Sequence, residues 1–349
     1  MFGKRNDKEL KRLLVMRFSA MGDVAMTAPV LHCLAVQNPQ LRITVLTRTR
    51  FVPMFEFLPA NVMVQGIDLE EYKGMGGLNR LFGELRKSSF DAVCDLHDVL
   101  RTKYLRTCFM MTGVKVVKVD KGRKDKHALI GNGLSSKALR PMVERYADVF
   151  RSLGLSLDLS KVEKVNVRGE NFLPVRQFAG IKEEGEKWIG IAPFAAHMQK
   201  VYPLEKMQQV VNLLCDKGCK VFLFGAGKAE ADILADWERE GAKSVCGKLG
   251  GLKNEMLLMT KLDMMLCMDS ANMHIASMMG IPVLSVWGAT HPKAGFTGFG
   301  QKPSSIVQLE LDCRPCSIYG NKPCQFGDMR CMNISPEIIV NRLLAFHNV

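Results

Sequence analysis

One carboxylate stands out by its setting. Asp23 closes a small-residue turn, Ser19-Ala20-Met21-Gly22, between a short apolar run at 13–16 and a long apolar stretch from Val24. A carboxylate placed there accepts hydrogen bonds from the free amides of a helix start, or serves as a general base at the carboxyl end of a strand, where open α/β sheets hold their ligands. A second cluster, Asp269-Ser-Ala-Asn-Met-His274, follows the apolar run 264–268 and precedes a small-residue helix. Amides at such a helix start suit a phosphate, with Ser270 adding a hydroxyl. The plainer reading is that Asp269 and Ser270 cap the helix and His274 is a core histidine. Lys200, in the loop after the run 188–192, is a candidate second phosphate ligand. The turn Gly225-Ala-Gly227 has two glycines of a dinucleotide fingerprint, with Glu230 in place of the third. Glu230 is suited to the hydroxyls of a ribose. Cys313, Cys316, Cys324 and Cys331 end the series. A structural zinc, packing thiols and a redox-labile pair all remain open for them, because the second pair is spaced more widely than zinc ligands usually are.

These residues need strands and helices to place them. Apolar runs at 13–16, 43–46, 90–96 and 114–119, separated by helical stretches, predict parallel strands with crossovers. From 158 to 187 the pattern weakens, which predicts one last strand of a first domain and then a linker. The same grammar restarts at 188–192 and continues through 220–224, 264–268 and 282–287. Two successive α/β units result.

Composition narrows the partners. The chain has 349 residues, 47% hydrophobic and 24% charged, enough for two ordinary cores. No apolar run reaches the ~20 residues of a membrane span, and the charged start does not resemble a signal peptide. Eleven scattered cysteines then fit the reducing cytoplasm. The net charge of +13 favours anionic partners. Nine Lys or Arg residues between Arg101 and Lys126 meet only Asp120 and Asp125. A solvated face is the ordinary reading of such a run; an anionic lipid surface is the functional one. No nucleic-acid-binding signature accompanies it. A G-x-S-x-G elbow, a P-loop, an H-E-x-x-H and a metal-holding D-x-D are all missing from the sequence.

Taken together, six segments resemble glycosyltransferase family 9, the ADP-heptose:lipopolysaccharide heptosyltransferases. They are R-F-S-A-M-G-D-V-A-M-T-A-P (17–29), D-L-H-D-V-L-R-T (95–102), I-G-I-A-P with K-V-Y-P-L-E (200–205), D-S-A-N-M-H-I-A (269–276), G-I-P-V-L-S-V-W-G-A-T-H-P (280–292) and the tail cysteines. The resemblance implies an α/β fold of GT-B type, two Rossmann-like domains with parallel sheets facing across a cleft. It implies an acceptor-binding domain over 1–178, a nucleotide-sugar-binding domain over 186–335, and a C-terminal helix, 336–349, that packs back on the first. It also implies metal-independent, inverting transfer without a cofactor. Asp23 matches the catalytic carboxylate, and Lys200, Glu230, Asp269, Ser270, Ala271 and His274 match the donor site. Arg101, with Lys103 beside it, matches a basic acceptor-binding position.

The implied partners are a nucleotide diphosphate sugar, ADP-heptose before others, and an anionic glycolipid met peripherally at the inner face of the cytoplasmic membrane. Nucleic acid is not expected. Phe194, Ala195, Ala196, Tyr202 and Ala271 depart from the family pattern and leave the donor sugar open. Two other classes compete: a nicotinamide-dependent oxidoreductase using the 225–227 turn, and a glycan-binding relative that has lost catalysis.

Overall fold

The computed structural model describes residues 10–132, 137–161 and 165–345. Residues 1–9, whose charge bears on the signal-peptide question, and residues 346–349 of the expected last helix lie outside that set. The chain divides into two compact units, Met1–Lys121 with Val143–Glu163, and Gly122–Met142 with Lys164–Val349.

The first unit is built on five parallel strands: β1 (Arg12–Met16), β2 (Arg42–Arg48), β3 (Val62–Ile67), β4 (Ala92–Asp95) and β5 (Lys115–Lys118). Their spatial order is β3-β2-β1-β4-β5. Helices α1 (Met21–Gln37), α2 (Gly74–Arg86) and α3 (Leu100–Met111) make the crossovers. The central strands read as unbroken apolar runs because both faces are covered: Leu13 to Met16 are all buried. Residues Val24 to Ala35 of α1 are buried without a polar face, as expected of a helix that is hydrophobic all round. Leu14, Met16, Leu46, Val93, Leu105 and Phe109 form one core. The apolar stretch near residue 51 is a 3-10 turn, Thr49–Phe55. Strand β3 follows it as a half-exposed edge strand with a weak pattern.

The segments that follow are α4 (Arg123–Asn132), α5 (Met142–Arg151) and α6 (Leu173–Ala179). No strand forms among the described residues between 158 and 187. The expected last strand of the first domain is replaced by a 3-10 turn at Leu159–Lys161 and by α6, since Pro174 and the glycines at 169 and 180 break any extended run. The contacts also group 122–142 and 164–178 with the second unit, where the sequence reading had kept them with the first.

Six parallel strands carry the second unit: β6 (Trp188–Ala192), β7 (Lys220–Leu223), β8 (Ala242–Ser244), β9 (Met264–Met268), β10 (Val283–Val286) and β11 (Ile306–Val307). Their order is β11-β10-β9-β6-β7-β8. The connecting helices are α7 (Leu204–Asp216), α8 (Gly227–Ala235), α9 (Leu252–Met259) and α10 (Ala271–Met278). The last helix, α11 (Pro336–Ala345), packs on α7, and its Ile339, Val340 and Leu343 join Val210, Leu214 and Leu266 in the second core. Its apolar residues thus contribute to the core of the second unit. No helix among the described residues is long and apolar enough to cross a membrane.

In each sheet the chain reverses direction of growth once. In the first unit it does so between β1 and β4, in the second between β6 and β9. Loops leaving such a pair of strands diverge to opposite faces and open a crevice at their carboxyl ends.

Candidate active site

The first crevice is lined by the loops after β1 and β4. The N-cap of α1 is Ala20, which has no side-chain acceptor. Asp23, three residues on, supplies one: Oδ2 accepts from the Ala20 amide at 3.3 Å. The capping role is thus present. The same oxygen lies 2.7 Å from Nη2 of Arg17, whose side chain is only 6% exposed against 30% for Asp23. Arg17 also donates to the Leu96 carbonyl at the end of β4 and lies 5.7 Å from the ring of Tyr146. A guanidinium buried this deeply requires a counter-charge, and Asp23 provides it. The hydroxyl of Tyr146, on α5, donates to Oδ1 of Asp23 at 3.3 Å. The carboxylate is fixed from both oxygens while keeping part of its surface in solvent.

Beside it, His97 Nε2 and Ser19 Oγ are 3.2 Å apart. Burial, with Arg17, Lys121 and Arg101 in electrostatic reach, pushes the His97 pKa down to about 3, Asp23 opposing. Its Nδ1 is buried and has no hydrogen-bond partner among the described residues. The loop is shaped by Asp95, fully buried, which accepts from the amides of His97 and Asp98 at 2.9 and 2.8 Å and from Arg106 at 2.9 Å. Arg101, half-buried, stands in the first turn of α3 within reach of His97, while Lys103 is exposed.

In the second unit the loops after β6 and β9 bring two of the donor-site candidates, Lys200 and Asp269, into contact, while Glu230 stays in its own turn after β7. Lys200 Nζ lies 2.9 Å from Asp269 Oδ2, and the same oxygen accepts from Thr290 Oγ1 at 2.8 Å. Asp269 therefore does not cap α10. Ser270 occupies the N-cap position but makes no side-chain cap bond, and its buried Oγ has no partner among the described residues. Ala271 begins the helix and His274 is buried within it.

Glu230 Oε2 accepts from the Ala226 amide at 2.7 Å. It thereby secures the Gly225–Gly227 turn, the job a third glycine would leave undone. Tyr202 is fully buried and donates to the Ile334 carbonyl at 2.6 Å, so this departure from the family pattern is a core contact.

The four tail cysteines are free thiols. Cys331 is packed in the second core, and burial pushes its pKa up to about 11. Among the described residues no three His, Cys, Asp or Glu side chains are placed to hold a metal ion, so the sulfurs of the possible zinc set are not assembled. Tyr146 carries no local signal in the sequence, and Thr290 lies in the 280–292 segment without a role assigned to it. Sequence reasoning had Arg17 and His97 inside quoted motifs without a role.

Two parallel-sheet α/β units, each presenting fixed polar side chains at its point of reversal, give the chain a fold of GT-B type. The pattern of glycosyltransferase family 9 (heptosyltransferase) matches residues 78–325, and the chain belongs to that family. It is 23% identical over 294 residues to the lipopolysaccharide core heptosyltransferase OpsX of Haemophilus influenzae, covering 81% of this chain and 80% of that one. Among solved structures it superposes on a family 9 glycosyl transferase from Veillonella parvula with a TM-score of 0.73 at 19% identity, covering 97% and 98% of the two chains. The E. coli ADP-heptose lipopolysaccharide heptosyltransferase II gives 0.70 at 20% identity, covering 96% and 98%.

Proposed function

We propose that this glycosyltransferase moves heptose, with inversion, from ADP-heptose or a closely related nucleotide diphosphate sugar to an anionic lipopolysaccharide-core acceptor. The observation that carries the reading is the fixed, partly exposed Asp23 carboxylate at the reversal point of the first sheet. In the proposed step an acceptor hydroxyl gives its proton to Asp23 while its oxygen attacks the anomeric carbon. The bond from that carbon to the diphosphate oxygen breaks on the opposite face, and the diphosphate leaves with the electron pair. One base is enough for a single displacement. Negative charge developing on the diphosphate is met by Lys200, the Ser270 hydroxyl and the amides that open α10. Transfer by this route is metal-independent, in keeping with a sequence that has no D-x-D motif.

The names of the relatives support the donor and acceptor: one is a lipopolysaccharide core heptosyltransferase, another an ADP-heptose enzyme. A lipid-linked acceptor places the work peripherally at the cytoplasmic face of the membrane. The net charge of +13 and the exposed Lys103, Lys115 and Lys118 favour an anionic surface.

The test is direct assay of purified protein with ADP-heptose and a core-deficient lipopolysaccharide, with and without EDTA. Product formation unchanged by EDTA, with the opposite anomeric configuration to the donor, is expected. Failure to transfer from any nucleotide sugar in a donor panel overturns the reading.

A further inference from the structure

The tail after β11 is knitted to the donor-site candidates more closely than its sequence suggests. Arg314, fully buried, donates to the carbonyls of Gly288 and Leu309 and, at 2.8 Å, to that of Thr290. The Cys316 amide donates to the Ala289 carbonyl at 2.8 Å. These bonds fasten the tail across residues 288–290 and bring Gly320 against the stem of Lys200. A methyl group added at Gly320 would lie within 2.5 Å of both Cγ and Cδ of Lys200, and 3.5 Å from Cγ2 of Thr290. Gly320 also has φ of +75°, which side chains other than glycine rarely adopt. On the other side, a methyl at Gly288 would come within 3.1 Å of the Gln199 carbonyl, and the Ala289 amide donates to that carbonyl at 3.3 Å. The atoms met at Gly320 are not a free side-chain tip. They are interior methylenes of a lysine that is 14% exposed and held at its ammonium by Asp269.

We propose that Gly320 is a positioning residue for the donor site: by presenting bare backbone to the Lys200 stem, the Arg314-fastened tail aims the ammonium at the donor diphosphate. The inference rests on the reading of Lys200 as a phosphate ligand. It gives the tail a task that needs no metal at its cysteines.

The experiment compares Gly320→Ala, Gly327→Ala, Lys200→Ala and the double variant Gly320→Ala/Lys200→Ala, using calorimetric titration with ADP and thermal denaturation. Gly327 is the control because it lies in the same tail at φ +73° with nothing within 4 Å of an added methyl. Gly320→Ala is expected to weaken ADP binding roughly tenfold, the loss of one charge-assisted hydrogen bond, and Gly327→Ala to stay within about twofold. The double variant should bind ADP as Lys200→Ala does. Its Tm should fall below that of Lys200→Ala by no more than Gly327→Ala costs, because shortening the lysine removes the clash. That comparison stands even where Gly320→Ala alone does not fold. If Lys200→Ala weakens ADP but Gly320→Ala does not, or if Gly320→Ala weakens it equally in both backgrounds, the positioning role is overturned while the donor-site reading survives. Unchanged ADP binding by Lys200→Ala overturns both.

Discussion

Lys200 Nζ lies 2.9 Å from Asp269 Oδ2, joining the loop after β6 to the loop after β9 across the reversal point of the second sheet. The contact sets the lysine's direction before any ligand arrives. It is also a mostly buried pair, at 14% and 8% side-chain exposure, so its two halves are not interchangeable with neutral groups at no cost. Lys200→Ala is expected to raise the donor KM roughly 10- to 100-fold, in line with a charge-assisted phosphate contact, with a smaller change in acceptor KM. Steady-state kinetics varying each substrate in turn check this.

Asp23→Asn separates chemistry from structure better than Asp23→Ala. The amide oxygen still accepts from Arg17 and Ala20, whereas alanine would strand a guanidinium that is 6% exposed. We expect kcat to fall by about 10²–10⁴, the range of a lost general base, with donor affinity near that of the parent and a lowered Tm, because the neutral amide leaves the buried Arg17 without its counter-charge. A kcat within threefold of the parent rejects Asp23 as the base.

Arg17→Lys keeps the charge and loses the fork. A single ammonium cannot hold both the Leu96 carbonyl and the Asp23 carboxylate in the present geometry. A stability loss of about 1–3 kcal/mol and a reduced kcat are expected together, and denaturant unfolding alongside kinetics reads both. Tyr146→Phe, which removes the 3.3 Å contact to Oδ1, should lower kcat less than Asp23→Asn does.

His97 makes a pH prediction. Its pKa in the folded protein is pushed down to about 3 by burial and by Arg17 and Lys121, against about 6.5 in an unfolded chain. Between those values the unfolded state binds the extra proton, so stability rises with pH there and is lost as pH falls from about 6.5 toward 3. One proton corresponds to a slope of at most about 1.4 kcal/mol per pH unit. His97→Gln, which cannot titrate, should show a shallower decline over that window in unfolding curves taken at several pH values. Parallel curves for the two proteins would remove His97 from the account.

Much of this protein is legible in one dimension. Strands buried on both faces must be apolar throughout, so runs such as 188–192 and 264–268 announce themselves, and β6 and β9 fall where those runs do. Small and polar residues just after such runs mark ligand loops, which is how Asp23, Lys200, Asp269 and Ser270 come into view. The edge strand β3 escaped because all but one of its residues are partly or fully exposed and the apolar pattern dissolves, whereas the edge strand β5 falls within the run 114–119. What the chain does not state locally is which loops meet. That follows from sheet order, since the reversal between β6 and β9 brings Lys200 to Asp269. Tyr146, 123 positions from Asp23, reaches it only because α5 returns to the first unit. Gly320 reads in sequence as a turn residue; the packing of the tail against the Lys200 stem makes its missing side chain matter. The sequence by itself determined the residue types available for chemistry and the strands that precede them. Only the tertiary structure decided their partners, because charge pairing and close packing depend on distances in space that periodicity along the chain does not encode.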